Sequence, residues 1–573
     1  MDAAGAGVAH LDELLKKNEI TGEPHLVVAA FEDVTNHLNL VLGAIARLSS
    51  YAGCAVSADA RDEAAQASCA EVERLGARLE AGYARYVAWA GALDAEALEE
   101  SAVAREHAYP LARIRMSARH LMSVEEEALA AELAVTGGSA WSRLQSDLLS
   151  TITVRVDTAG DGVLTEMPMT AVRALAPSAD RGLRRRAHEA EIAAWQEHAV
   201  PFAAALNAVK GETLALARRR NWDTPLDAAL FENGLDAAAL DAMVGAVEAA
   251  APGLRRHLRA KARALGVDVL SWYDLEAPLP TPAGAGVREW SFRGAMDFVS
   301  TSFATYSDGL AGLARRAQAE RWIDAEVRQG KAGGGFCERL TGGVSRILVN
   351  FESSFQGVSV LAHELGHAYH NLLTGSVAPL RRGFPSTVAE TASMFCEQIA
   401  VHGALAQAGP AEALALLDAQ LQRGCDLPLE VLSRFRFEER LFAARKDTVL
   451  SARELCDLTV QAQRDAYGDA LDPDALHPYM WAVKPHYYED SFYNFPYAFG
   501  ELLGRGLHAR FVADPESFRA AFDGILADAG LASPADLALR LGIDIADRSF
   551  WDSVLAGIVE DAERYEGLIA AAA

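Results

Sequence analysis

The sequence predicts a mainly α chain with two or more packed lobes. Three observations predict it. Most of the chain repeats apolar residues at helical spacing in stretches rich in Ala, Leu, Glu and Arg. Its 573 residues exceed what a single hydrophobic core usually holds. Strand signals are confined to two short places, and a composition of 51% hydrophobic and 23% charged residues is that of a soluble globular chain with ample core, which excludes disorder.

In chain order, residues 1 to about 140 read as successive amphipathic helices, clearest at 27–52 and 64–92. The run 150–156 (STITVRV) alternates polar and apolar residues, and Ala159-Gly160-Asp161-Gly162 can turn it into a hairpin with 163–167. Helical patterning resumes at Ser178, and the triplet Arg218 to Arg220 reads as a solvated helix end. From about residue 200 the pattern stays helical, interrupted by a proline-rich connector at 278–286. Glycines 333–335 then lead into 346–351, rich in apolar and β-branched residues and predicted to be a strand of a small sheet. By its position that sheet flanks the next helix, and an edge of it could pair with an extended peptide.

The next helix is predicted over 358–373, with Leu361, Leu365, Ala368, Tyr369 and Leu372 on its apolar face and Thr374-Gly375 as its stop. It carries His363-Glu364-Leu365-Gly366-His367, an H-E-x-x-H sequence. Positions 363 and 367 are one turn apart on one face, so both imidazoles can reach one Zn²⁺ ion, and Glu364 beside them can act on a water there. A zinc hydrolase is the chemistry this pattern predicts.

Catalytic zinc keeps three protein ligands and an open position. The metzincin pattern would place glycine at 370 and histidine at 373; the chain has His370 and Leu373, which excludes it. A glutamate from a following helix is the other common solution, and Glu390 stands in Thr387-Val388-Ala389-Glu390, after the loop 381–385. The same T-x-x-E sequence also has the form of a capping box. Glu397, on the same helical face as Glu390, reads either as a carboxylate behind a ligand or as a solvated helix residue.

Gly335-Phe336-Cys337, Ser345 to Phe351, the HELGHAYH segment and VAETASMFCE together resemble the M3 family of zinc peptidases, most closely the oligoendopeptidase F branch. Asn221 to Leu226, Ser271 to Leu275 and Pro485 to Tyr488 with Phe492, Tyr493 and Tyr497 extend the likeness over most of the chain beyond about residue 110. The resemblance implies a gluzincin peptidase of two helical lobes around a deep substrate channel, with 1–200 as an oligopeptidase F-like N-terminal lobe and 201–573 as the catalytic region. It implies His363, His367 and Glu390 as ligands of one Zn²⁺, and Glu364 as general base. His486, Tyr493 and Tyr497 would stabilise the oxyanion, with Tyr487 and Tyr488 as substitutes. Gly500 and Gly504 could let that segment move, or merely permit close helix packing.

The expected substrates are short unstructured peptides cleaved internally, as a metalloendopeptidase would. A carboxypeptidase or dipeptidase of the helical gluzincin type would use the same triad, and a peptide-binding protein with an inert site is the reading outside enzymology. A net charge of −26 argues against nucleic acid or an anionic membrane as partner. The first twenty residues lack a signal-peptide core, and no uncharged stretch of about 20 strongly apolar residues occurs. Six scattered cysteines without C-x-x-C spacing are expected as free thiols, Cys337 and Cys396 as small hydrophobes, in a cytoplasmic protein.

Overall fold

A computed structural model describes residues 1–18, 24–280 and 288–572. Among the described residues the chain is mainly helical, with two small sheets. It forms two compact units, each assembled from segments distant in sequence: Met1–Leu121, Arg288–Gln407 and Leu503–Asp544 make one, and Met122–Val287, Ala408–Leu502 and Ile545–Ala573 the other. Of the expected connector at 278–286, residues 281–286 lie outside the described residues.

In the first unit, helices Asp2–Lys17, Pro24–Ala58 and Glu63–Ala92 bury Val8, Leu11, Phe31, Val34, Leu38 and Tyr86 in one core. The sheet is three-stranded: Val344–Val349 lies between Ile323–Asp324, parallel to it, and Gly335–Thr341, antiparallel. Ile347, Leu348 and Val349 are buried, whereas the outer strand 335–341 is only partly so. The helix Phe355–Leu373 follows directly, capped by the Ser354 side chain on the Gly357 amide. Its other end is held by Arg339 of the outer strand, which donates to the Asn371 carbonyl and to Thr374 Oγ1.

That helix is also pinned from behind. Asp523 accepts hydrogen bonds from Tyr369 and Tyr306, both at 2.7 Å, and the His370 ring nitrogen lies 3.1 Å from the Leu526 carbonyl. Burial pushes the His370 pKa down to about 3, so it serves as a neutral donor. Gly504 packs against Met394, where an added Cβ would come within 2.5 Å of the Met394 Cβ. This is the close packing that a glycine permits.

In the second unit the expected hairpin forms, Thr153–Val156 pairing antiparallel with Thr165–Pro168. Val154 and Val156 turn inward onto the long helix Arg181–Arg219 and join a core with Trp195, Phe202, Leu206, Phe437, Leu441 and Trp481. At the end of that helix, Arg219 and Arg220 pair with Glu126 and Glu127 at 3.1 and 2.8 Å.

Two helices, Leu26–Ala58 and Ala237–Ala264, have the length and hydropathy to cross a bilayer. Both carry charges inside their span, Glu32, Asp33 and Arg47 in one and Asp241, Glu248, Arg255, Arg256, Arg259, Lys261 and Arg263 in the other, so neither is an uncharged stretch. The second is an amphipathic core helix that buries Leu240, Met243, Val247, Leu254 and Leu258.

Candidate active site

The motif helix places His363 and His367 side by side, ring centroids 4.9 Å apart and nearly perpendicular. Glu390 reaches both: its Oε2 lies 3.3 Å from His363 Nε2 and 3.4 Å from His367 Nε2. Ligand bonds of about 2.0–2.2 Å set donor separations of about 3.4 Å in a tetrahedral site. Both separations from Glu390 match that spacing, all three donors lie within 4.8 Å of one another, and two imidazoles with one carboxylate are a catalytic-zinc donor set.

Glu390 is not in a capping box. The short helix Ser386–Ala389 starts after Pro385, which leaves Thr387 inside it, and Glu390 forms the junction with Thr391–Leu405. Ser393 Oγ donates to Glu390 Oε2 at 2.8 Å and so fixes the carboxylate. Glu397 is not a solvated helix residue either; it is 4% exposed, accepts from Ser359 Oγ at 2.8 Å, and lies 3.3 Å from His363 Nδ1.

Electrostatics favour positive charge in this cluster. Burial opposes charge on His363, but Glu390 and Glu397 outweigh it and lift the imidazole to about 10. Burial would raise Glu390, yet hydrogen bonds from His363 and His367 hold it well below the carboxylate range. Positive charge is thus drawn to the centre of the three donors, where a divalent ion would take the place of the proton.

Glu364 stands apart from this pairing. It is buried, its Oε2 has no hydrogen-bond partner among the described residues, and burial raises its pKa, the neighbouring histidines only partly opposing the effect. Gly335, at the start of the outer strand, makes room for it: a Cβ there would lie 3.2 Å from Glu364 Oε1.

The second group of expected residues lies in the second unit. His486 stacks on Tyr493, centroids 4.9 Å apart, and meets Tyr497 at 6.1 Å. Burial and the nearby Arg434 cation push the His486 pKa down, which keeps the ring neutral. Tyr493 and Tyr497 are exposed, at 38% and 42%. Tyr487 and Tyr488 are instead core residues, and the Tyr488 hydroxyl donates to the Phe202 carbonyl at 3.4 Å.

Peptidase family M3 matches residues 309–556, which contain the motif helix, Glu390 and the His486 to Tyr497 segment, and the family description Oligopeptidase F matches 93–153. Residues 309–556 belong to peptidase family M3. M3 peptidases are zinc metallopeptidases, in keeping with the donor set at 363, 367 and 390. Group B oligopeptidase PepB of Streptococcus agalactiae is 24% identical over 69% of this chain and 66% of its own length. An oligoendopeptidase F homolog of Lactococcus lactis is 25% identical over 66% of this chain and 63% of its own. The chain thus spans just under two thirds of the length of these relatives. The structure of oligoendopeptidase F from Enterococcus faecium covers 98% of both chains with a TM-score of 0.73 at 18% identity, a likeness of fold.

Sequence reading did not single out Ser359 and Ser393, the two hydroxyls that orient the carboxylates of this M3 site. Ser359 did carry a signal, since it lies one turn before His363 on the same helical face.

Proposed function

We propose that this chain is a zinc-dependent oligoendopeptidase that hydrolyses internal bonds of short, unstructured peptides. One observation carries the reading: three donors at zinc spacing with the buried, unpartnered Glu364 carboxylate beside them. Zn²⁺ held by His363, His367 and Glu390 would polarise the scissile carbonyl and acidify water.

Glu364 takes the proton of the attacking water and hands it to the leaving amine; its raised pKa brings it nearer to neutrality, where such a base works best. Ser359 and Glu397 hold His363 by its other nitrogen. Neutral His486, with Tyr493 and Tyr497, donates hydrogen bonds to the oxyanion, a role that rests on their likeness to the M3 aromatic segment. Loss of one such donor would cost on the order of 10²–10³ in turnover. The outer strand 335–341 takes the peptide in extended form, since its start lies beside Glu364. Six free cysteines suit a reducing compartment, and we assign the reaction to the cytoplasm.

The test is Glu364→Gln assayed on an internally quenched peptide blocked at both ends. Wild type should cut it and lose that activity to a chelator, while the variant keeps its zinc and loses cleavage. Near-normal turnover by the variant would remove Glu364 as base. Cleavage only of peptides with free termini would make the protein a carboxypeptidase or dipeptidase.

A further inference from the structure

We propose that His188, Glu191 and His477 form a second site, for a divalent transition metal, within the unit built on the helix Arg181–Arg219. His188 and Glu191 lie three residues apart and share one face of that helix. His477 arrives from the segment that follows Ala452–Tyr467, and the three side chains bring one donor atom each within 4.8 Å of one another.

The second, independent observation is the state of His477. It is 1% exposed, and among the described residues Nδ1 has no hydrogen-bond partner. Nε2 meets the Glu191 carboxylate, 3.3 Å from Oε1, the oxygen that Arg173 and Trp195 also occupy. The ring is nevertheless firmly placed. Gln463 bonds both the amide and the carbonyl of His477, while His188 and Trp272 box the imidazole at 5.5 and 5.9 Å. Burying an idle ring nitrogen beside a carboxylate and a second imidazole is costly, and an ion held by the three groups is one of the few things that satisfies such a ring.

Glu191 is prepared in the same sense. Arg173 and Trp195 donate to Oε1 at 2.7 and 3.2 Å, which orients the carboxylate as the outer partners of metal ligands do. No hydrogen bond is made to Oε2 among the described residues. The Arg173 charge disfavours a weakly held hard cation such as Ca²⁺. Two imidazoles with one carboxylate instead favour Zn²⁺, Co²⁺ or Ni²⁺.

All three residues line one cavity of about 450 Å³, whose wall carries the cations Arg173, Arg184, Arg423 and Lys484 and the carboxylates Glu191, Glu276, Asp426 and Glu430. Its charges balance, and its space admits water or a carboxylate at the remaining coordination position. The bound metal would clip the long helix to the segment around residue 477.

Chelator-treated full-length protein titrated with Co²⁺, followed by visible absorption and by metal counting after dialysis, tests the site. Wild type should bind two equivalents. His477→Ala and Glu191→Gln should each bind one, and His363→Ala should retain one that His363→Ala/His477→Ala loses. Thermal melts verify folding, and Glu191→Gln and His363→Ala carry the test should His477→Ala not fold. A single wild-type equivalent that vanishes in His363→Ala would overturn the proposal, as would a second equivalent that survives both His477→Ala and Glu191→Gln. Loss of hydrolysis in Glu364→Gln has no bearing on either count, so the two sites fail independently.

Discussion

His363 touches two carboxylates from opposite ring nitrogens: Nε2 faces Glu390 at 3.3 Å and Nδ1 faces Glu397 at 3.3 Å. The Glu397 carboxylate is itself tied to Ser359, so the ring plane is set before any ion arrives. Glu397→Ala should therefore lower zinc affinity about 10–100-fold without removing a ligand. Competition against a chelator of known affinity measures this, with Glu390→Ala, which deletes a donor, expected to lose more. Wild-type affinity in Glu397→Ala would reduce the carboxylate to a packing group.

Gly366 is where the motif helix meets the helix Thr391–Leu405 backbone to backbone. A Cβ at 366 would lie 2.6 Å from Ser393 Cα and 2.7 Å from the Ala392 carbonyl. Neither atom belongs to a side chain that can swing away, so Gly366→Ala must push the helices apart, at a cost of about 1–3 kcal/mol. Glu390 sits at the near end of the displaced helix, and zinc affinity should fall together with the denaturation midpoint. Equal midpoints for Gly366→Ala and wild type would mean that the helices separate freely.

Legibility followed the distance over which each feature is encoded. The motif helix was readable because its apolar period and its histidine pair lie within 19 residues, although the Ser354 cap starts it at Phe355, before the apolar pattern begins at Val358. The inner strand, buried and β-branched, was plain, whereas its partner 335–341 is half polar and half exposed and gave little beyond its glycines. Glu390 was ambiguous because T-x-x-E has the form of a capping box, and only the start of the helix after Pro385 removes that reading. Asp523, which accepts from Tyr306 and Tyr369, could not be found at all, since nothing local to Asp523 announces its partners.

Lys210 is fully buried and donates to Glu438 Oε1 and to the Asp490 carbonyl, both at 2.7 Å. Two residues later the chain passes through Phe492 at φ 56°, a costly conformation for a bulky side chain, before reaching Tyr493. Lys210→Met should cost about 3–5 kcal/mol, because it leaves Glu438 charged and uncompensated in the core. Lys210→Met/Glu438→Leu should recover much of that loss in urea melts, yet stay slow in peptide hydrolysis, since the turn between His486 and Tyr493 has lost its anchor. Full activity in the double variant would show that Phe492 holds its conformation without Lys210.

His257 gives the second unit a pH dependence of definite sign. The ring is fully buried between Asp426, 3.1 Å from Nδ1, and Asp418, 3.2 Å from Nε2, and Tyr565 donates to Asp418 at 2.7 Å. Burial alone would expel the proton, but the two carboxylates prevail and raise the pKa to about 9. An unfolded histidine titrates near 6.5, so the folded state holds this proton more tightly. The stabilisation is complete below about pH 6.5 and is lost as pH rises through about 9, a change on the order of 3 kcal/mol. Denaturation midpoints should accordingly fall more steeply between pH 6.5 and 9 for wild type than for His257→Asn, whose side chain does not titrate. Parallel slopes would mean that the imidazole is already neutral at pH 7 and that Asp418 and Asp426 take their protons from elsewhere.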